Sequence, residues 1–233
     1  MLLIETSTAT CSVSLAQRTH ILAHRSTFKP RSHASLLAVF IDQILEECNI
    51  TVKDCAAVAV SGGPGSYTGL RVGVSTAKGL CFGSGLPLIH VCSLQLIAQL
   101  YIDKHMKEVP QYIYPMIDAR RMEVYTAPFI VCKEKDTDPI ACKEGPVEAI
   151  VVQPNSFADS LEKGLVIFAG DGALKCKEVI SHEHALFLDL ESHANGMAKA
   201  AWEAYSNNRF EDLAYYVPFY LKKFQAKLPK KDV

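Results

Sequence analysis

Ser61-Gly62-Gly63-Pro64-Gly65-Ser66-Tyr67-Thr68-Gly69-Leu70-Arg71-Val72-Gly73 is the stretch from which the fold can be read. Just before it, Cys55-Ala56-Ala57-Val58-Ala59-Val60 is an apolar run of small and β-branched residues, the pattern of a buried strand. From Leu70 to Leu80 there is no proline, and glycines stand at the start, within and just past the end, which predicts a helix. The order is strand, glycine-rich turn, helix. Such a turn can present backbone N–H groups at the positive end of a helix, where phosphates bind. The plainer alternative is that the glycines only permit a tight turn, and the local residues favour it. Two phosphate signatures fail here. Gly69 is followed by Leu70 and Arg71 rather than Lys and Ser/Thr, and Gly63, Gly65 and Gly69 are spaced G-x-G-x-x-x-G, one residue too long for the dinucleotide fingerprint.

The chain has 233 residues, enough for one large domain or two small ones with real cores. Its hydrophobic share of 49% and charged share of 21% are those of an ordinary globular protein. A net charge of −1 gives no overall electrostatic pull toward nucleic acid or acidic membranes. The lysines between Leu221 and Lys231 read as a solvated, frayed terminus. Cysteines stand at 11, 48, 55, 81, 92, 132, 142 and 176 with no C-x-x-C, which excludes the common zinc and thioredoxin-type patterns. They are expected to be reduced. With no leader-like opening and no apolar run of membrane length, a cytoplasmic location is expected.

Outward from the glycine loop, Leu2–Ile4, Cys11–Leu15 and Ile21–Thr27 predict three antiparallel strands, with the polar turn Glu5-Thr6-Ser7-Thr8 after the first. Hydroxyls at that turn suit a nucleotide-phosphate clamp; equally, Thr and Ser are simply good turn residues. Ser32 is placed to cap a helix from His33 to Cys48. Its apolar positions, Leu36, Leu37, Val39, Phe40, Ile41, Ile44 and Leu45, form a stripe wider than one core-facing surface needs. In the next helix Gly69, Gly73 and Thr76 share a face, and Gly79 and Gly83 form a second small pair. Glycine inside a helix costs about 1 kcal/mol relative to alanine, so close packing by a neighbour, internal or foreign, is expected there.

Leu86–Val91 predicts a strand, and Ser93 to Tyr101 a helix. The polar stretch Asp103–Glu108 before Pro110 marks the best boundary, dividing the chain into 1–104 and 105–233. Beyond it, Tyr112–Ile117 and Met122–Ile130 predict strands, Lys133–Gly145 a loop and Val147–Val152 a strand. A helix from Pro154-Asn155 to Lys163, a strand Leu165–Ala169 and a tight turn Gly170-Asp171-Gly172 with a short helix follow. Leu186–Leu190 predicts the last strand and His193–Asn208 a long Ala-rich helix. Each half opens with adjacent strands and continues in helix–strand alternation, the layout of two similar α/β lobes.

Candidate chemistry is sparse. His33 is followed four residues later by Leu37, so the i, i+4 histidine pair of a metal-binding helix is absent. No G-x-S-x-G elbow occurs; Ser66 and Thr68 read as caps of the following helix. Asp118-Ala119-Arg120-Arg121 with Glu123 and Tyr125 clusters charge on a strand–turn–strand. A carboxylate there suits magnesium or a structural pair with Arg, and the second is favoured.

Taken together, Leu2-Leu-Ile-Glu-Thr-Ser-Thr8, Cys11-Ser-Val-Ser-Leu15, the glycine loop with Ala77-Lys-Gly-Leu80, and Ile117-Asp-Ala-Arg-Arg121 with Glu123-Val-Tyr125 resemble the TsaB (YeaZ) family. That family takes part in bacterial tRNA threonylcarbamoyladenosine biosynthesis. The resemblance implies an α/β, two-lobed actin-like/Hsp70-like ATPase (ASKHA) fold whose final helix crosses back to the first lobe. It implies a non-catalytic scaffold subunit that dimerises with TsaD, the metal-bearing transferase, and supports binding of the ATPase TsaE, with tRNA contacted through the complex. The family's dimer interface maps onto Leu36, Leu37, Phe40, Ile44, Gly69, Val72, Gly73, Thr76 and Leu80, and a homodimer of the isolated chain is a further expectation. Glu5 stands where many relatives of the fold carry Asp, so no cofactor or metal is expected. Nucleotide binding by this chain alone, at Thr6, Ser7, Gly170 and Gly172, is expected to be weak or absent. The rival reading is an ATP-dependent small-molecule kinase of the same fold, using Glu5, Thr6 and Gly170–Gly172. A metallopeptidase lacks ligands.

Overall fold

The computed structural model describes residues 1–29, 32–133 and 137–222. The lysine-rich tail singled out above lies almost wholly outside the described residues. Strands β1 (Leu2–Glu5), β2 (Cys11–Gln17) and β3 (His20–Thr27) run antiparallel, as their alternation predicts. Then come α1 (His33–Glu47), β4 (Val58–Ser61), α2 (Tyr67–Ser84), β5 (Leu88–Val91) and α3 (Ser93–Lys104). The sheet order is β3-β2-β1-β4-β5, with β4 parallel to both β1 and β5.

The second half contains β6 (Tyr112–Pro115), β7 (Ile117–Asp118), β8 (Glu123–Thr126), β9 (Phe129–Cys132), β10 (Ile140–Lys143), β11 (Glu148–Val151), α4 (Ala158–Leu161), β12 (Val166–Ala169), α5 (Ala173–Cys176), β13 (Ala185–Leu188) and α6 (Ala198–Ser206). Its main sheet, β10-β9-β6-β12-β13, repeats the first. Two antiparallel neighbours lead into the founding strand, and two parallel ones follow it. The strands β11-β8-β7 form a small separate sheet.

Strand alternation sorts the side chains into layers. Leu2, Ile4, Val58 and Val60 face α1 and α2, whereas Leu3, Ala57, Ala59 and Ile89 face α3 and the segment before α6. On the second sheet Ile113 and Ile167 join that same central layer, while Tyr114 and Phe168 point to α4 and α5. One apolar core therefore lies between the two sheets and one lies outside each. Helix α6 packs against β5, and the turn before it touches β1 and β2.

Several expectations fail for local reasons. Met122–Ile130 is not one strand: it breaks at Ala127-Pro128, where Pro has no N–H for a ladder, and its two parts enter different sheets. The expected loop Lys133–Gly145 contains β10, whose edge is satisfied from α3, with Ala141 N donating to Gln99 Oε1 at 2.9 Å. The helix expected from Pro154 shrinks to α4, because Ser156 Oγ accepts from Gln153 N and holds a turn. The long last helix begins as a 3-10 turn over Ala194–Met197, where Gly196 lies against Leu96 O. Ser32 does not cap α1; its hydroxyl donates to Lys29 O at 2.6 Å instead. Cys132 and Cys142 are not free thiols but a disulfide, since pairing of β9 with β10 sets their Cα atoms 5.9 Å apart.

Candidate functional site

The α1–α2 pair covers the outer face of the first sheet. On α2 a full arc is committed to the chain itself: Gly69, Leu70, Gly73, Val74, Ala77 and Cys81 are buried. The two glycines in that arc are close-approach positions. A Cβ at Gly69 would lie 2.1 Å from Thr6 O, and one at Gly73 2.2 Å from Thr6 Oγ1. The turn after β1 is thus the neighbour that offsets the helix cost of both. Their expected place at a partner contact is corrected: Gly69 and Gly73 pack inside the molecule. Leu37 and Ile44, likewise expected at the interface, are buried core residues at 1% and 0% exposure.

The remaining expected positions lie at the edge of that arc. Leu36, Phe40, Val72, Thr76 and Leu80 are half-buried, and Val39 is 43% exposed. Among the described residues nothing lies within 4 Å of a Cβ placed at Gly79 or Gly83, one helical turn apart. The helix pair therefore presents an open surface of small and apolar groups. It is displaced by part of a turn from the face that the spacing of Gly69 and Gly73 suggested.

The hydroxyl-rich turn after β1 is wholly buried from Glu5 to Thr8. Thr6 Oγ1 donates to Gly69 O at 2.9 Å, and Ser7 donates to Glu5 Oε1 from both N and Oγ at 2.6 Å. Thr8 and Ser192 hydroxyls meet at 2.6 Å, Ser14 Oγ donates to Asn195 Oδ1 at 2.7 Å, and Ser12 Oγ accepts from Ala194 N. These hydroxyls latch the first lobe to the segment that leads into α6. Burial raises the Glu5 carboxyl above the ordinary range, against the hydrogen bonds from Ser7, Ser61 and Ser192. Its Oε2 has no hydrogen-bond partner among the described residues. Thr6 and Ser7 are engaged in this way by their own neighbours. Gly170 and Gly172 lie against Met116 O and against Asp118 N and Val124, respectively.

His33 Nε2 lies 3.1 Å from Thr8 O and 3.2 Å from Thr10 O, a position in which its N–H donates to the β1–β2 turn. Among the described residues no three His, Cys, Asp or Glu side chains gather as metal ligands. The Asp118 carboxylate is held in a structural pair, but the cation is Lys175 of α5 rather than Arg120 or Arg121.

The feature that sequence reasoning missed is the strap from Arg209 to Lys222. Glu211 N donates to Leu88 O on the free edge of β5, and Lys78 Nζ holds Ala214 O and Tyr216 O at 3.2 and 3.0 Å. Tyr216 OH meets His90 Nδ1 at 2.7 Å, and Phe219 N donates to Gly62 O. Within the loop, Gly62 N donates to Val91 O, Gly63 N to Ser93 Oγ and Ser66 N to Ser7 O. These donors are already paired, and Ser66 caps α2 as expected. The legible sign of the strap was Tyr215-Tyr216-Val217-Pro218-Phe219-Tyr220, an aromatic run with neither helical nor strand period, which still has rings to cover.

A family model described as "TsaD: tRNA N6-adenosine threonylcarbamoyltransferase" matches residues 22–230. The chain is 38% identical over 128 residues to the tRNA threonylcarbamoyladenosine biosynthesis protein TsaB of Haemophilus influenzae, a stretch covering 54% of this chain and 51% of that protein. It is 36% identical over 129 residues to the TsaB of Escherichia coli, covering 55% and 54%. The matched region spans about half the length of these relatives. A solved structure described as YeaZ from Pseudomonas aeruginosa superposes with a TM-score of 0.81 at 25% identity, over 94% of this chain and 98% of that one. The fold is the two-lobed α/β ASKHA type.

Proposed function

This chain belongs to the TsaD/TsaB (YeaZ) family, and from that premise we propose that it serves tRNA threonylcarbamoyladenosine biosynthesis as a non-catalytic scaffold. In this reading it pairs with TsaD through α1 and α2, supports TsaE on the resulting complex, and meets tRNA through that complex. The observation that carries the proposal is the outer surface of the helix pair. Gly79 and Gly83 leave room for a second backbone, and Leu36, Val39, Phe40, Val72 and Leu80 flank them with apolar surface not used up by the core. Small residues beside apolar ones are what close packing of a foreign helix needs. In the absence of TsaD the same surface favours a homodimer.

The test is co-expression with TsaD followed by size-exclusion chromatography with light scattering. A one-to-one heterodimer is expected for the wild type. Gly79→Trp, which fills open space on α2, is expected to abolish co-elution while leaving the melting temperature nearly unchanged. Co-elution of Gly79→Trp and Val39→Glu at wild-type stoichiometry would overturn the assignment of this face.

A further inference from the structure

Strands β8 and β11, helix α4 and the end of β6 border a cavity of about 340 Å³. In the β8–β11 ladder Thr126 stands opposite Glu148 and Val124 opposite Ile150, so strand alternation puts these four on one face. Val124 shares a core cluster with Tyr114 and Leu161, which turns that face toward β6 and α4. Thr126, Glu148 and Ile150 line the cavity from the sheet, and Tyr114, Phe157 and Asp159 from the other side.

Its polar groups are unevenly satisfied. Tyr114 OH and Ser160 Oγ meet at 2.8 Å and serve one another. Thr126 is 1% exposed, and its Oγ1 has no hydrogen-bond partner among the described residues. A buried hydroxyl left in that state costs stability unless a bond is supplied to it. Glu148 and Asp159 are exposed, and neither has an ion-pair partner among the described residues. They are the charged residues among the described ones that line the cavity, and both are negative. Burial raises the Tyr114 hydroxyl's pKa, the bond with Ser160 opposes the rise, and the charges of Tyr112, Asp159 and Glu148 add to it.

The apolar walls are held in place. Phe157 has a left-handed backbone at φ 67°, which a bulky residue keeps only where its surroundings impose it. Its ring lies 4.7 Å from Tyr114 and 5.1 Å from Phe168, centroid to centroid. Glu144 N donates to Pro128 O at 2.9 Å, and a Cβ at Gly145 would lie 2.8 Å from Pro128 Cγ. The turn carrying Pro146 is thus fastened against Pro128, and both prolines line the cavity.

We propose that this cavity binds a small primary alkylammonium, with the ammonium held by Glu148, Asp159 and the Thr126 hydroxyl and the alkyl body against Phe157, Ile150 and the two prolines. An ammonium has three donors and no acceptor, which matches two carboxylates and a hydroxyl oxygen without a partner. An anion would meet two uncompensated carboxylates. A neutral apolar molecule would leave both charges and the hydroxyl as they are. The site uses neither α1 nor α2, so it stands apart from the scaffold reading above.

The experiment follows amide chemical shifts of the isotope-labelled full chain, without TsaD, as hexylammonium chloride is added at low salt. Saturable shifts are expected at Thr126, Glu148, Phe157 and Asp159, with a dissociation constant on the order of 1 mM for so small a ligand. Butylammonium is expected to bind about tenfold more weakly for its missing methylenes. Hexanol and hexanoate are expected to bind at least about tenfold more weakly for want of the cation. Glu148→Gln/Asp159→Asn is expected to weaken hexylammonium about tenfold at an unchanged melting temperature. Thr126→Val is expected to weaken it about fivefold while raising the melting temperature, since it removes a buried hydroxyl without a partner. No saturable shift at these residues up to about 20 mM, hexanol or hexanoate within about twofold of hexylammonium, or either variant within about twofold of wild type would each overturn the proposal.

Discussion

His193 and Glu5 border the same inter-lobe seam and respond to pH in opposite directions. His193 Nδ1 accepts from Asn195 N at the start of the turn before α6, a role open only to an unprotonated ring nitrogen. Burial, with His24 and Lys104 adding repulsion, lowers its pKa to about 4. A histidine depressed in the folded state contributes stability that is complete above its unfolded value near 6.5 and is lost as pH falls toward 4. For one such group the loss reaches about 3 kcal/mol at pH 4. Glu5, raised by burial, has the opposite sign, adding stability at low pH and losing it as pH rises through its folded value. Urea unfolding from pH 7.5 down to 4.5 should therefore show a stability decline that His193→Asn, which keeps an acceptor at the cap, largely removes. An unchanged pH profile in that variant would assign the decline to other groups. Neither behaviour was legible in the sequence, because His193 is charged or neutral according to long-range neighbours.

Helix α2 shows what spacing can reveal and what it cannot. The sequence predicts a helix with two pairs of glycines four residues apart, and both pairs are there. Only the fold distinguishes them: Thr6 fills the space beside Gly73, and open space lies beside Gly79. Gly73→Ala gains helix propensity but must displace the Thr6 side chain, and is expected to cost about 2 kcal/mol net. Gly79→Ala meets nothing and is expected to stabilise by about 0.5–1 kcal/mol. Chemical denaturation of the two single variants checks this, and equal shifts of the same sign would contradict the packing described. The strap is the converse case. Its contacts run from Lys78, His90 and Gly62 to residues more than 120 positions later, and no local periodicity could announce them. The break of Met122–Ile130 at Pro128 could have been read, since a proline inside a supposed central strand argues against it.

At the scale of the whole molecule, two sheets repeat one strand order without a residue-level repeat, joined by a shared apolar layer and the hydroxyl latch. The repetition was visible in the alternation of predicted elements. The strands Val147–Val152 and Met122–Ile130 were legible, but not that parts of them pair with β7 in a small separate sheet, because strand pairing is set by residues distant in sequence. The spacing of Gly69 and Gly73 pointed to an arc of α2 that packs inside the molecule, whereas the open arc of that helix carries Gly79 and Gly83. Helix spacing gives faces relative to one another and not which of them meets the core. The outer arc of α1 and α2 is the face proposed above to dock TsaD. Amide hydrogen–deuterium exchange of this chain alone and with excess TsaD tests it most directly. The expected result is new protection concentrated in residues 33–47 and 67–84, with the second sheet unchanged; protection confined to residues 112–190, or none despite a formed complex, would contradict it.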